Sequence, residues 1–462
     1  MNDSLLSICY SWANSHDAMT PYTDLLNWIK ERNRTVAVEI QKTDLENCHP
    51  WYYDAEAGCI SNENGSFFSI CGFQKKEGSA QITQPIIMQP EIGYLGIICK
   101  EINGVMHFLM QAKIEPGNIN KIQLSPTIQA TKSNFTQKHG GKRPPYLEYF
   151  LNASKYEILV DQIQSEQSSR FYKKRNRNIV IRVEEEIEVL PSHRWMTLYQ
   201  IKQLMREENL VNMDTRTVLS CLPFSKTVLP EDERIRLFSR FTDQALFRSI
   251  FDKNDGTAVA DIYQYLNNYK MFSESEERLI PLFQLNDWEM NNGEFICRTP
   301  YPFKVIFCDI AIEGREVKHW KQPLFEAIGI ATFGLLCVEE NGVLKFLVKA
   351  TPELGCFDRI ELGPTLQREA VALFQEDDVI SRFFLNCMET GIGVIYDNLL
   401  SEEGGRFYHE QNRNVVLRVD LADLPDIPEG YFLVEYSVLN EMIQYNNVLN
   451  IQLRNLLALL EV

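Results

Sequence analysis

The sequence predicts an α+β fold made of two tandem copies of one domain, and three observations carry the prediction. Residues 165–183, SEQSSRFYKKRNRNIVIRV, return at 401–419 as SEEGGRFYHEQNRNVVLRV, keeping the Ser-Glu start, Arg-Phe-Tyr and Asn-Arg-Asn. In each half an Asn-Gly pair, Asn103-Gly104 or Asn341-Gly342, divides two apolar, β-branched runs. Asn and Gly tolerate the positive φ of a type I′ turn, so each reads as a β-hairpin. Each half then closes on two amphipathic helical segments and shows no regular strand–helix alternation, which excludes a parallel α/β fold. The offset between copies stays at 236 to 238 residues, as from Ser165 to Ser401 and from Asn103 to Asn341. A constant long offset means that a whole domain was duplicated.

The elements follow in order. DLLNWIKERN from Asp24 and DIYQYLNNYK from Asp261 place apolar residues at helical spacing, each behind an Asp suited to N-capping. Gln84-Pro85 is matched by Gln322-Pro323, and the hairpins follow at 92–113 and 328–351. Next come LSPTIQA at 124–130 and LGPTLQR at 362–368, then PPYLEYFLN, whose prolines fit a helix start. The copied motif leads into helices at 197–208 with 214–222, and 435–444 with 451–460. Residues 223–255 read as a charged linker and a helix. The boundaries drawn are 1–225 for the first repeat, 226–260 for the linker and helix, and 261–462 for the second repeat.

Two domains fit 462 residues, and 45% apolar with 24% charged residues is a globular composition. A net charge of −17 argues against nonspecific nucleic-acid or anionic-membrane binding, which needs a broad basic field. Positive charge is concentrated between Arg170 and Arg182, through Lys173, Lys174, Arg175 and Arg177, which suits either an anionic small ligand or a solvated strand. The eleven cysteines form no CxxC pair, and no apolar run reaches the ~18 residues of a membrane helix. The N-terminus has no basic n-region. A cytoplasmic protein with reduced thiols is expected. The seven histidines show no HxxxH or HxH spacing, so no metal site is expected, and neither a glycine-rich phosphate loop nor a GxSxG elbow occurs.

Acid–base chemistry remains. Lys113, Glu115, His139, Glu166 and Tyr172 lie in or beside the copied segments and are able to carry protons. Each has a plainer role available: Phe171 and Tyr172 packing a strand end, Glu166 ion-paired to Arg170, and His139 in an exposed loop. The first copy holds QAKIEPGN, PTIQATKSNF and HGGKRPPYLEYF; the second has KATPELGC and PTLQREAVAL and no HGG loop. The first copy is therefore the richer site, with residues of both copies free to line one pocket.

The segments QPIIMQPEIGYLGII, HFLMQAKIEPGNIN, QLSPTIQATKSNFTQKHGG, PPYLEYFL and SEQSSRFYKKRNRN, with KQPL and SEEGGRFYHEQNRN in the second half, resemble the NDP-hexose 2,3-dehydratases of deoxysugar biosynthesis. Ser168 stands where glycine is expected. The resemblance implies two tandem Nudix-like α/β/α sandwich domains, a homodimer, and one working pocket per subunit beside a vestigial duplicate. It implies a TDP-linked 4-keto-6-deoxyhexose as substrate, losing its C2 hydroxyl to give a 3,4-diketo-2,6-dideoxy sugar nucleotide. That elimination needs a base at C3, an acid at C2 and stabilisation of an enolate oxygen at C4, and formally no cofactor. Glu166, Tyr172, Lys113 and His139 are then the expected proton-transfer groups. Arg170, Arg175 and Arg143 are expected to clamp the diphosphate. Gln111, Gln129, Asn134 and Asn176 are expected to hold sugar hydroxyls or the thymine edge. Glu115, Thr131 and Tyr149, with Arg406, Tyr408 and Asn412 from the second copy, complete the substrate-binding set. Two rival readings stand beside this one. A Nudix hydrolase needs paired glutamates on one helix to hold Mg²⁺, which neither copy has, and a non-catalytic sugar-nucleotide binder needs no proton carriers.

Overall fold

Asn103 and Asn341 take left-handed backbone conformations, φ 54° and 52°, each followed by a glycine at φ 78°, so both expected hairpins form. The computed structural model describes residues 3–13, 16–65, 67–132, 143–252, 256–313, 317–371 and 377–461. Each hairpin, Gly93–Ile102 with Val105–Ile114 and Thr332–Glu340 with Val343–Thr351, lies at the middle of a seven-stranded sheet. The two large sheets have the same strand order. In each, the strand that ends the copied motif, Arg175–Arg182 or Gln411–Val419, runs parallel to the first hairpin strand and antiparallel to the strand before it. The architecture is therefore α+β with mixed sheets, duplicated as expected.

The two smaller sheets exchange a strand. Val38–Thr43 from the first half pairs with Phe303–Ile312 of the second, with Ile40 opposite Ile310. Glu276–Ile280 from the second half pairs with Ser69–Glu77 of the first. A boundary drawn by sequence repeat thus does not separate the halves in space.

Three local expectations need correction. Asp24 and Asp261 lie inside their helices, Tyr22–Thr35 and Thr257–Phe272, rather than at the caps. Pro21, at φ −58°, is already set for a helix start, and its carbonyl accepts the Asp24 amide at 3.0 Å. The stretch read as a charged linker and a helix holds two helices, Glu231–Phe238 and Gln244–Phe251, with Leu237, Phe241 and Phe247 buried in the main core. The closing helices do form. Thr197 and Gln200 make a capping box, and Asn212 and Asn450 cap the helices Met213–Ser220 and Ile451–Leu457.

Those last two helices pack on each other across the repeats. Arg216 donates to the Ser401 carbonyl at 2.7 Å, and Arg454 donates to the Ser165 carbonyl and Thr217 hydroxyl. Gln123 donates to Ser401 Oγ at 2.8 Å, and Ser165 Oγ donates to Glu361 at 2.7 Å. The copied motif of each repeat is therefore anchored by the other repeat. The matched glutamines hold each motif from within its own repeat: Gln84 donates to the Ser169 carbonyl and Gln322 to the Gly405 carbonyl, each at 2.7 Å.

Candidate active site

Because each motif loop docks on the opposite repeat, the main cavity is built from both. It encloses about 440 Å³. Its inner end is formed where the hairpin strand Val105–Ile114 runs out at Lys113 and Glu115, beside Gln129 of the short strand Ile128–Ala130. Glu166 and Lys174 enter from the corner between Glu157–Ser165 and Arg175–Arg182, where the Glu166 amide donates to the Lys174 carbonyl at 3.0 Å. Asp214 enters from the first turn of Met213–Ser220, and Glu403 and Arg406 come from the second repeat's motif loop. Pro50, Asn62, Asn64 and Phe67 line the outer part with Trp320 and Lys321 of the second repeat's small sheet.

The inner end holds four carboxyl groups, of which Glu115, Glu166 and Asp214 are buried. Lys113 pairs with Glu115 at 2.9 Å, and the Asn176 amide donates to Glu166 Oε2 at 2.5 Å. Burial, with repulsion from Glu403, pushes the Glu166 carboxyl up to about 8. Burial, partly offset by Glu166, pulls the Lys174 ammonium down to about 8. Asp214 and Glu403 are held far above the usual carboxylate range, by burial first and then by neighbouring carboxylates. Crowded, buried carboxyls favour protonated forms, which suits this end of the cavity to acid–base chemistry. Among the described residues no group of three His, Cys, Asp or Glu is arranged to hold a metal ion.

Of the residues singled out in the sequence, Glu166, Lys113, Glu115, Gln129, Thr131, Asn176 and Arg406 line this cavity. The others do not. Tyr172 packs on Phe73 with ring centroids 5.9 Å apart, under the Lys173 ammonium. Arg170 pairs with Glu369 at 3.1 Å and covers the Phe303 ring, while Arg175 lies 3.7 Å over Phe357. Arg143 pairs with Glu148 on the surface, and Tyr149 packs beside Tyr146 and Tyr156. Gln111 lies opposite Ser125 and His193 in the large sheet, and Tyr408 stacks on His409. Asn412 donates to Glu402 at 2.7 Å, repeating in the second repeat what Asn176 does for Glu166. His139 and Asn134 lie outside the described residues. The basic run between Arg170 and Arg182 is largely spent on local partners, with Arg177 on Asp161 and Arg182 on Glu157.

The arginine expected from the first motif therefore goes to the second repeat, and the first pocket receives Arg406 in exchange. Lys174, Asp214 and Glu403 were missed. A signal for them lay in the copies: Lys113, Lys174, Asp214 and Thr131 stand opposite Thr351, Glu410, Gln452 and Glu369, while Glu115, Gln129, Glu166 and Asn176 are kept as Glu353, Gln367, Glu402 and Asn412. In the second repeat Gln367 and Asn450 both donate to Glu353, and Glu369 occupies Arg170. That corner is closed on its own hydrogen bonds.

Comparison with known proteins agrees with the duplication. The family model described as NDP-hexose 2,3-dehydratase matches the chain twice, over residues 22–222 and 259–460. A dTDP-4-dehydro-6-deoxy-alpha-D-glucopyranose 2,3-dehydratase of Saccharopolyspora spinosa is 38% identical, over 99% of this chain and 93% of its own. Proteins of the same name from Streptomyces violaceoruber and Amycolatopsis orientalis are 37% and 32% identical. The first covers 93% of this chain and 95% of its own, the second 98% and 92%.

Proposed function

The chain belongs to the NDP-hexose 2,3-dehydratase family, and we propose that it removes the C2 hydroxyl of a TDP-linked 4-keto-6-deoxyhexose as water, yielding a 3,4-diketo-2,6-dideoxy sugar nucleotide. It is a hydro-lyase, and family membership sets aside the hydrolase and the non-catalytic binder. The observation that carries the reading is the cluster of Glu166, Lys113, Glu115, Lys174, Asp214 and Glu403 at the closed end of the cavity.

The chemistry follows from the substrate. The C4 ketone acidifies the C3 proton, and the C2 hydroxyl is the β leaving group. In this reading Glu166 takes the C3 proton, since a base whose pKa lies near the working pH is both available and strong. Lys113 faces the C4 oxygen and stabilises the enolate. Arg406, whose fork suits phosphate oxygens, holds the diphosphate with Lys321. Trp320 and Phe67 offer aromatic faces to the thymine, and Asn62 and Asn64 offer its edge hydrogen bonds.

The same reading keeps one working pocket per chain, because the second repeat lacks both cavity lysines. It also keeps each repeat as a Nudix-like sandwich, with 1–225 and 261–462 as the repeats, and the chain as a cytoplasmic homodimer. These rest on the resemblance drawn from the motifs. No helix of the described residues is long and apolar enough to cross a membrane. The test is mass spectrometry of TDP-4-keto-6-deoxyglucose incubated with the protein in D₂O. Loss of one water with deuterium in the product supports the reading. Binding without mass change, or cleavage of the diphosphate, overturns it.

A further inference from the structure

Resting on that reading, we propose that Asp214 is the acid that protonates the departing C2 hydroxyl. Asp214 is 1% exposed, lines the cavity, and neither carboxyl oxygen has a hydrogen-bond partner. A buried polar group left unsatisfied in a folded protein calls for an explanation, and a substrate hydroxyl supplies the missing partner. Glu166 differs: one of its oxygens accepts the Asn176 amide, a bond that favours the ionised, basic form. The two carboxyls face one cavity with different partners: Glu166 already accepts an amide at one oxygen, and Asp214 has neither oxygen committed.

The duplication gives an internal comparison. Asn212, Asp214 and Arg216 correspond to Asn450, Gln452 and Arg454. The cap and the arginine's bond to the opposite motif's serine carbonyl both recur, so the helix and the repeat contact are retained without a carboxyl at this position. Only the group able to release a proton is lost. Burial and the nearby Glu166 and Glu115, opposed by Lys113 and Arg216, raise the Asp214 carboxyl well above its usual range.

The step balances. Glu166 takes the C3 proton, and the electron pair forms the C4 enolate. Its collapse restores the C4 carbonyl, forms the C2–C3 double bond and breaks the C2–oxygen bond, whose electron pair takes the Asp214 proton to leave as water. The C3 enol then ketonises, losing its hydroxyl proton while C2 gains one, and the proton that Glu166 took passes, directly or through solvent, to Asp214, restoring both groups.

Asp214→Asn and Asp214→Gln test this, the second copying the residue that the second repeat already carries. Expected is a loss of dehydration of 10²-fold or more, the usual weight of a general acid. Deuterium should still wash into C3 in D₂O, and the 2-deoxy-2-fluoro analogue of the substrate, whose fluoride needs little acid assistance, should still be eliminated within tenfold of wild type. Dehydration near the wild-type rate in either variant overturns the proposal. So does parallel loss of exchange and fluoride release, which marks a base or a structural role. A wild-type protein that dehydrates nothing fails the underlying reading instead.

Discussion

Arg170 of the first repeat reaches into the second and is held by Glu369 at 3.1 Å, whereas its counterpart Arg406 reaches into the first repeat and lines the cavity. The position of Glu369 is taken in the first repeat by Thr131, so the carboxylate that pairs with the arginine in the second repeat is absent at the matching position. That substitution is one of those that distinguish the two corners. Arg406→Ala should raise KM for the sugar nucleotide about 10- to 100-fold, the ~1.5–3 kcal/mol of a charge-assisted hydrogen bond. Steady-state kinetics checks this.

Glu369→Ala should leave kcat and KM within about twofold of wild type while destabilising the fold. Removing one partner of a buried pair costs ~3–5 kcal/mol, and the partial exposure of Glu369 reduces this to ~1–2 kcal/mol. Thermal melts checked against turnover separate the two effects. Lost activity with an unchanged melt would place the second corner in the catalytic machinery.

Glu166 should set the alkaline shift of the activity profile. Its carboxyl is raised from 4.5 to about 8, so the basic form accumulates, and kcat/KM rises, as pH increases through that value. Stability runs the other way. A carboxyl held protonated in the fold stabilises it fully below the unfolded value near 4.5, and this is lost as pH rises through about 8. Glu166→Gln should cut turnover 10²- to 10⁴-fold and flatten the fall in melting temperature between those limits. An unchanged slope would remove Glu166 as its cause.

Tyr172→Phe should turn over within about twofold of wild type, because the ring packs on Phe73 outside the cavity. In sequence Tyr172 looked like Glu166, a polar group repeated in place at Tyr408 and Glu402. Repetition marks whatever both copies need, and both need the corner: Gln84, Gln322, Ser165 and Ser401 are repeated because they pin the motif loops. The hairpins, closing helices and α+β class were legible, since Asn-Gly turns and capping patterns are local. The strand exchange was not, because Val38–Thr43 and Glu276–Ile280 fill equivalent places and either sheet accepts either strand. Asp214 was legible only through its mismatch with Gln452. The site combines groups both copies keep, such as Glu166, with groups the second copy lacks, such as Lys113, Lys174 and Asp214.

Gly117 tests whether the cavity depends on close docking of the two repeats. Its amide donates to the Gly404 carbonyl at 2.7 Å, and its carbonyl accepts the His409 amide at 2.8 Å. A Cβ at this position would lie 1.5 Å from the Phe407 carbonyl oxygen, which is backbone held in a short parallel bridge to Phe325 and Glu326. No side-chain rotation relieves that overlap, so Gly117→Ala must push the second repeat's motif loop away and carry Glu403 and Arg406 with it. The expected outcome is a fall in melting temperature of several degrees, consistent with ~1–3 kcal/mol of overpacking, together with a raised KM. Gly404→Ala meets the flexible end of Asn118 and should be milder. If Gly117→Ala melts and binds as wild type does, the loop is not held by this contact, and another anchor must position Arg406.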